Sequence, residues 1–193
     1  MSKLSKYRLL LILAAAVLFL DQATKLWVVS LLPEGSFFEP NRIEVISGFF
    51  HIVHVTNTGA AWSMFSGYTW PLTAVGFVVL GFLFFFRKAL ELDKPKIQLG
   101  YGLMIGGIIG NMIDRIRIQK VIDFLDFQFG DYHFPSFNIA DSGITVGVVL
   151  YILLSFRSEK ENTQKAEAAS DENSPKKIPS DEPQAEEEKP PSA

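Results

Sequence analysis

Four apolar runs punctuate the chain, at roughly residues 7–27, 70–86, 97–113 and 137–156. Each is close to the about 20 residues that carry a helix across the hydrocarbon of a bilayer. The second run stops at Arg87-Lys88 and the fourth at Arg157. This pattern predicts a membrane all-α fold with four transmembrane helices. The first run follows Lys3, Lys6 and Arg8 and so resembles a secretory signal, but no small-x-small cleavage site comes after it. Asp21-Gln22 interrupts it and apolar sequence resumes at Leu26, so it reads as an uncleaved span. A different period appears between the first two runs. Arg42 to Thr56 reads RIEVISGFFHIVHVT, with β-branched and aromatic residues in partial alternation, which predicts strands, and Gly48 supplies a turn or bulge. A small periplasmic β-sheet is therefore expected beside the four helices. Phe37, Phe38, Phe49, Phe50 and Trp62 are expected either to anchor it at the interface, where aromatic rings are favoured, or to pack the sheet itself.

Charge turns the helix pattern into a topology. With both termini inside, the inner set is Lys3, Lys6, Arg8, Arg87, Lys88, Lys94, Lys96, Arg157 and Lys160, against Lys25, Arg42, Arg115, Arg117 and Lys120 outside. The excess of basic residues in the first set places both ends in the cytoplasm. Two loops, roughly 28–69 and 114–136, then face outward. The domain expected to carry the function is 1–157. Residues 158–193 hold ten acidic and five basic residues, no aromatic, and Ile178 as the only large aliphatic. Such a segment buries too little apolar surface to offset its ordering entropy, so a disordered acidic cytoplasmic tail is expected. The overall net charge of −3 belongs to this tail, because residues 1–157 carry +2.

Polar residues gather at one end of the helices. Ionisable groups at the edge of a span are costly and raise a functional hypothesis by default. Asp21 and Lys25 share a helix face at i and i+4. Asn111 and Asp114 close the third span, and Asn138, Asp141, Ser142 and Thr145 form one stripe at the start of the fourth. The inner halves of the spans show no such groups. In the third span Gly102, Gly106 and Gly110 recur every four residues with Gly107 beside them, a signal for close helix packing. That packing is expected to bring Asn111 and the loop after it against the fourth span. The run lies inside an apolar helix and lacks a Walker lysine, so a phosphate loop is excluded.

The chemistry available narrows quickly. The chain has no cysteine, which removes thiolate nucleophiles, disulfides and Cys-ligated metals. His51, His54 and His133 form no metal-ligand pattern, and a surface or packing role is expected for His51 and His54. No Ser-His pair lies on the polar faces. Carboxylates remain. Two that share a site cannot both ionise easily, so one holds a proton while the other acts as base, and together they can activate water. Asp141 is the clearest member. Asp123, flanked by apolar residues in VIDFLDF, is expected to be desolvated and biased toward its protonated form. Asp114 is expected to be held ionised in a structural pair with neighbouring Arg115. Physical reasoning ranks Asp123 only slightly above Asp114 as the partner of Asp141. Asp126 and Asp131 are expected to be ordinarily solvated.

Five segments in order, Asp21-Gln-Ala-Thr-Lys25, Asn57-Thr-Gly-Ala-Ala-Trp62, Gly106-Gly-Ile-Ile-Gly-Asn-Met-Ile-Asp-Arg115, Val121-Ile-Asp-Phe124 and Phe137-Asn-Ile-Ala-Asp141, closely resemble the lipoprotein signal peptidases (signal peptidase II) across about residues 7–157. Trp62 departs from the family's usual phenylalanine, and the acidic tail lies outside the family core. The resemblance implies an aspartic endopeptidase of the bacterial inner membrane whose catalytic dyad is Asp123 and Asp141. It implies that Asn57, Asn111, Asp114, Arg115 and Asn138 bind substrate or support the dyad, and that Asp21 and Lys25 orient the helices. The implied substrate is a prolipoprotein whose lipobox cysteine carries a diacylglyceryl group, cut just before that cysteine. One aspartate would deprotonate a water, while the other polarises the carbonyl and later protonates the amine. No cofactor, no metal and no nucleic acid is expected. Membrane lipid is the expected surrounding and a monomer the expected unit.

Two readings from other classes compete. A small transporter or channel subunit would use Asp21, Lys25 and Asp141 as an ion relay, but such a relay should reach across the bilayer, whereas these groups stop near one face. A structural assembly protein would use the polar stripe as glue between helices. A different intramembrane aspartyl protease would be expected to show G-x-G-D, which is absent.

Overall fold

The computed structural model describes residues 3–38, 40–59 and 67–172. Trp62, expected at the interface or in the sheet, lies outside them. A short 3-10 turn, Lys3–Tyr7, leads into helix α1, Arg8–Leu31. Strands β1, Ile43–Ile46, and β2, Phe50–Asn57, follow, then α2, Thr69–Phe85, and α3, Pro95–Ile118. Strands β3, Val121–Phe129, and β4, Tyr132–Phe137, run directly into α4, Ile139–Glu172. Ser5–Leu31 and Ile139–Phe156 are long and apolar enough to cross a membrane, and Thr69–Phe85 is apolar but shorter.

Helix α3 lies between α1 and α4, and its glycines are the reason. A Cβ added at Gly102 would lie 2.8 Å from the Leu13 Cβ, and one at Gly106 would lie 2.6 Å from the Ala14 carbonyl oxygen. A Cβ at Gly110 would meet the Asp21 carboxylate at 2.6 Å. The four-residue stripe thus presses on α1. The opposite flank meets α4: a Cβ at Gly107 would strike the Ala140 carbonyl, and one at Gly100 would sit 2.8 Å from the carbonyl of Gly147. Backbones this close leave no room for side chains, which is how small residues pack helices where lipid supplies no hydrophobic drive.

The ends of these helices are tied as well. Pro95 opens α3, where its missing N–H costs nothing. One turn in, the buried Gln98 reaches α1: its Oε1 accepts from Leu10 N at 3.1 Å and its Nε2 donates to Lys6 O at 2.6 Å. Gln98 therefore caps a helix whose N-cap, Tyr7, makes no side-chain bond of its own. The sequence pattern assigned no polar group to this end of the spans, because a lone glutamine among apolar residues carries no visible period.

The expected strands of residues 42–56 are β1 and β2, joined through Gly48 at φ +65°. They are half of the sheet. Its order is β1-β2-β3-β4, antiparallel throughout, so the second loop, to which the sequence pattern assigned no strand, supplies two more strands. Val28 at the end of α1 packs with Ile52 and Phe124, which seats the sheet on that end of the helices. Phe50 stacks on Phe127 at 4.7 Å and Phe49 meets Phe127 edge-on at 5.6 Å, so both pack the sheet, while Phe38 is exposed. Helix α4 continues to Glu172, so residues 158–172, expected to be disordered, are helical. Their alanine, glutamate and lysine content favours helix.

Replacing Gly106 with leucine should destabilise the fold by about 1–3 kcal/mol through overpacking against Ala14 and Val17. Gly81→Leu is the control, since a Cβ there meets nothing within 4 Å. Thermal unfolding in detergent checks this. Equal midpoints for the two variants would contradict the packing described.

Candidate active site

The polar residues of three helix ends and two strands meet in one buried network. It begins at Lys25, which is 2% exposed. Its ammonium lies 2.9 Å from Asp21 Oδ2 on its own helix and 2.7 Å from Asp114 Oδ2 on α3. It also donates to Asn111 Oδ1 at 3.1 Å. A buried ammonium is tolerable only with such partners. Asp114 is fully engaged: Oδ1 accepts from Gln22 Nε2 at 3.1 Å, and Oδ2 accepts from Ile122 N at 3.3 Å. The expected pairing of Asp114 with Arg115 is not formed. One residue apart on a helix, the two point in different directions, and i+4-type and interhelical geometry favours Lys25. Arg115 instead donates from Nη2 to Gly59 O at 2.9 Å.

Asn111 passes the network on to α4. Its Oδ1 accepts from Lys25 and, at 3.2 Å, from Asn138 Nδ2, while its own Nδ2 donates to Asp141 Oδ1 at 2.7 Å. Asn138 is wholly buried. Its Nδ2 donates to Asp123 Oδ1 at 2.7 Å and to Ile122 O at 3.2 Å. Its Oδ1 accepts from Asp141 N at 2.9 Å, and its backbone N donates to Asp141 Oδ2 at 3.3 Å. Those two bonds are a reciprocal capping box: the residue before the helix and the third residue within it satisfy each other's orphan groups. Asp21 Oδ1 caps a further free donor of the same turn, Ala140 N, at 2.9 Å. An acidic residue in that first turn also suits the positive end of the helix dipole.

Asp123 comes to this point from the middle of β3, opposite Val55 of β2. It is 4% exposed. Burial pushes its carboxyl up from the ordinary carboxylate range to about 7, and the charge of Asp141 pushes the same way. The amide of Asn138, the ammonium of Lys25 and the amide of Asn57 hold it back. Asn57, the last residue of β2, also accepts from Gly59 N at 2.8 Å through Oδ1, a turn that fixes the chain leaving the strand.

Asp21, Lys25, Asn57, Asn111, Asp114, Asp123, Asn138 and Asp141 thus share one continuous set of contacts, with Arg115 beside it on Gly59. Gln22 belongs to the network and was not singled out from the sequence. Its Nε2 donates to Asp21 Oδ2 at 3.1 Å and to Gly110 O at 3.3 Å as well as to Asp114. Its position between Asp21 and Lys25, on an otherwise apolar helix, was the available signal. Asp126 departs from expectation. It is fully buried, with His51 Nδ1 and His133 Nδ1 each 3.2 Å from Oδ2, because β3 is an inner strand of the sheet and not a solvated loop. His51 and His54 are buried in the sheet, in line with a packing role, and Asp131 is exposed at the β3–β4 turn. Among the described residues no group of three or more His, Cys, Asp or Glu is placed so that it could hold a metal ion.

Comparison with known proteins agrees with this arrangement. The family model of signal peptidase (SPase) II matches residues 13–157. The lipoprotein signal peptidase of Bacillus pumilus (strain SAFR-032) is 40% identical over 156 residues, covering 79% of this chain and 97% of that one. That of Nostoc punctiforme is 40% identical over 166 residues, covering 82% and 96%. A solved bacterial membrane enzyme superposes with a TM-score of 0.69 at 32% identity, over 79% of this chain and 90% of its own. The chain therefore belongs to the signal peptidase II family, the lipoprotein signal peptidases.

Proposed function

We propose that the protein is an intramembrane aspartic endopeptidase in which Asp123 and Asp141 activate water to cut a diacylglyceryl-modified prolipoprotein before its lipidated cysteine. The observation that carries this reading is the shared asparagine. Asn138 donates to Asp123 and accepts from the backbone of Asp141, which fixes two carboxyl groups from different elements against each other. Asp114, the other candidate, has both oxygens committed to Lys25, Gln22 and Ile122. It serves the scaffold.

The roles divide by surroundings. Asp123, pushed up to about 7, keeps its proton to a pH well above that at which an ordinary carboxyl loses it. Asp141, with Asn111 Nδ2 and Asn138 N donating to its two oxygens, acts as the base. Asp141 takes a proton from water as the oxygen attacks the scissile carbonyl. Asp123 donates a hydrogen bond to that carbonyl and then gives its proton to the leaving amine, and the proton on Asp141 restores the pair. Asn57, Asn111 and Asn138 hold the carboxyls in place, Arg115 steadies the chain at Gly59, and Asp21, Lys25 and Asp114 fix the helix ends.

The four helices α1 to α4 are read as membrane spans, with both termini cytoplasmic and the network near the periplasmic face, where the scissile bond of a membrane-held substrate emerges. Support comes from the excess of Lys and Arg at the other ends of the helices. Residues 1–157 form the peptidase domain, the family match ending at residue 157, and the rest is an appendage. One chain can supply all the groups invoked, so a monomer acting in lipid suffices for this reading.

Asp123→Asn and Asp141→Asn should each lower kcat by at least about a thousandfold, since each removes one half of the acid–base pair and not merely a charge. Cleavage of a diacylglyceryl-modified prolipoprotein by purified protein measures this, and full activity in either variant would remove that residue from the dyad. Activity should fall as pH rises through about 7, where Asp123 loses its proton. The same shift has a stability consequence. A carboxyl raised in the folded state contributes stability that is present at low pH and lost as pH rises from its ordinary value of 3.8 through about 7. The melting temperature of wild type should therefore drop relative to Asp123→Asn across that window; parallel curves would contradict the assignment. Lys25→Met leaves Asp21 and Asp114 buried without their cation and should cost about 3–5 kcal/mol of stability. Unchanged unfolding would mean that the triad does not hold the helices.

A further inference from the structure

A cleft of about 230 Å³, lined by neither Asp123 nor Asp141, lies between the end of α1, the end of α3 and strands β2 and β3. Its floor is the Lys25–Asp114 pair. One wall is apolar: Leu26 and Val29 of α1 and Ile118 of α3, all three exposed. The other wall is polar and basic. Arg117 stands on the last turn of α3, and Lys120 follows just after it.

The charges sort in a specific way. Asp114 is paired with Lys25, an ammonium it shares with Asp21, and Glu34 accepts from Lys120 and from Thr56. Among the described residues, no ion pair or hydrogen bond engages Arg117. The Lys120–Glu34 pair is a surface pair, with the two side chains 33% and 52% exposed, and such pairs contribute little to stability. Its ammonium is free to turn to a better partner. The position of Arg117 at a helix C-terminus accounts for its sign. It does not account for a concave site with one greasy and one cationic wall.

We propose that this cleft binds a phospholipid, its phosphodiester seated between Arg117 and Lys120 and an acyl chain running down Leu26, Val29 and Ile118. The volume sets the scale. Sites for whole drug-sized molecules run to about 300–1,000 Å³, so about 230 Å³ takes a headgroup and leaves the chains outside against the helices. On the cytoplasmic side, basic pockets between spanning helices hold phospholipid headgroups, and a charge-assisted contact from Arg to a phosphodiester works the same way at the other face. The site is distinct from the one that acts on substrate, yet the two share Lys25 and Asp114, and Lys25 reaches Asp141 through Asn111. An occupied cleft therefore presses on the same pair that anchors the asparagines holding the two carboxyls. The inference rests on the proposed placement of these helix ends at a membrane boundary.

The test uses the full-length purified protein and phosphatidylglycerol as probe, titrated and followed by native mass spectrometry in detergent. Wild type and Asp141→Asn should each retain one phosphatidylglycerol, although only wild type cleaves. Arg117→Gln with Lys120→Gln should bind it about thirtyfold more weakly, from the loss of two basic groups beside the headgroup, and should keep its basal cleavage in lipid-free detergent. Arg117→Lys with Lys120→Arg should bind as wild type does, which separates lost charge from lost fold. Free glycerol phosphate at the same concentration should not compete, because it lacks the acyl part. Equal affinity in wild type and the double glutamine variant, or full competition by glycerol phosphate, would overturn the proposal while leaving the peptidase reading untouched. Loss of cleavage in wild type with lipid still bound would do the reverse.

Discussion

Everything at this end of the molecule hangs on one ammonium. Lys25 lies between Asp21 and Asp114, two carboxylates on different helices that could not be buried together without a cation between them. That clamp fixes the height of α3 against α1. The height of α3 then sets where Asn111 points, and Asn111 joins Lys25 to Asn138 and Asp141. The glycines make the arrangement possible from the other direction. Gly110 has no side chain because the Asp21 carboxylate occupies that space, and Gly107 has none because the Ala140 backbone does. Packing and polarity are therefore one design here. The close approach of backbones brings polar groups within hydrogen-bond reach, and their bonds hold the backbones close.

The sheet has a comparable economy. It could have been a mere cover over the helix ends. Instead its third strand carries Asp123 inward, and its bulged pairing with β2 puts Asn57 at the strand end where it can meet that carboxyl. The fourth strand runs without a loop into α4, so the strand that ends at Phe137 and the helix that begins at Ile139 share Asn138 as their junction. The chemistry proposed for Asp123 and Asp141 needs carboxyl groups set against each other in a dry place. A strand and a helix meeting at a single asparagine meet that need with few residues.

Much of this was legible in the sequence, and the reasons for what was not are physical. The apolar runs gave the helices because the spacing is long and strongly periodic. Asp21, Lys25, Asn111, Asp114, Asn138 and Asp141 stood out because ionisable and amide groups on apolar helices are rare. The family motifs pointed to Asp123 where physics alone left it nearly level with Asp114. Strands β3 and β4 escaped because VIDFLDFQF mixes acidic residues into an apolar stretch, which reads as a solvated loop until one sees that Asp126 faces two histidines inside the sheet. Gln22 escaped because the charges of Asp21 and Lys25 stand beside it, and Gln98 because it is alone among apolar residues. Both turn out to bond across helices. The direction of the glycine stripe, toward α1, could not be read from spacing, which fixes a face but not its neighbour.

The capping box at Asn138 has a consequence for how the enzyme comes into being. The same side chain that starts α4 also holds Asp123, and the same carboxylate that closes the box is Asp141. Starting the last helix and assembling the carboxyl pair are therefore a single event. During synthesis the residues of α4 emerge after every other part of the network, so a nascent chain halted before them holds Asp123 on its strand with nothing opposite. On the proposed assignment of Asp123 and Asp141, the enzyme gains its working pair only when its last helix forms.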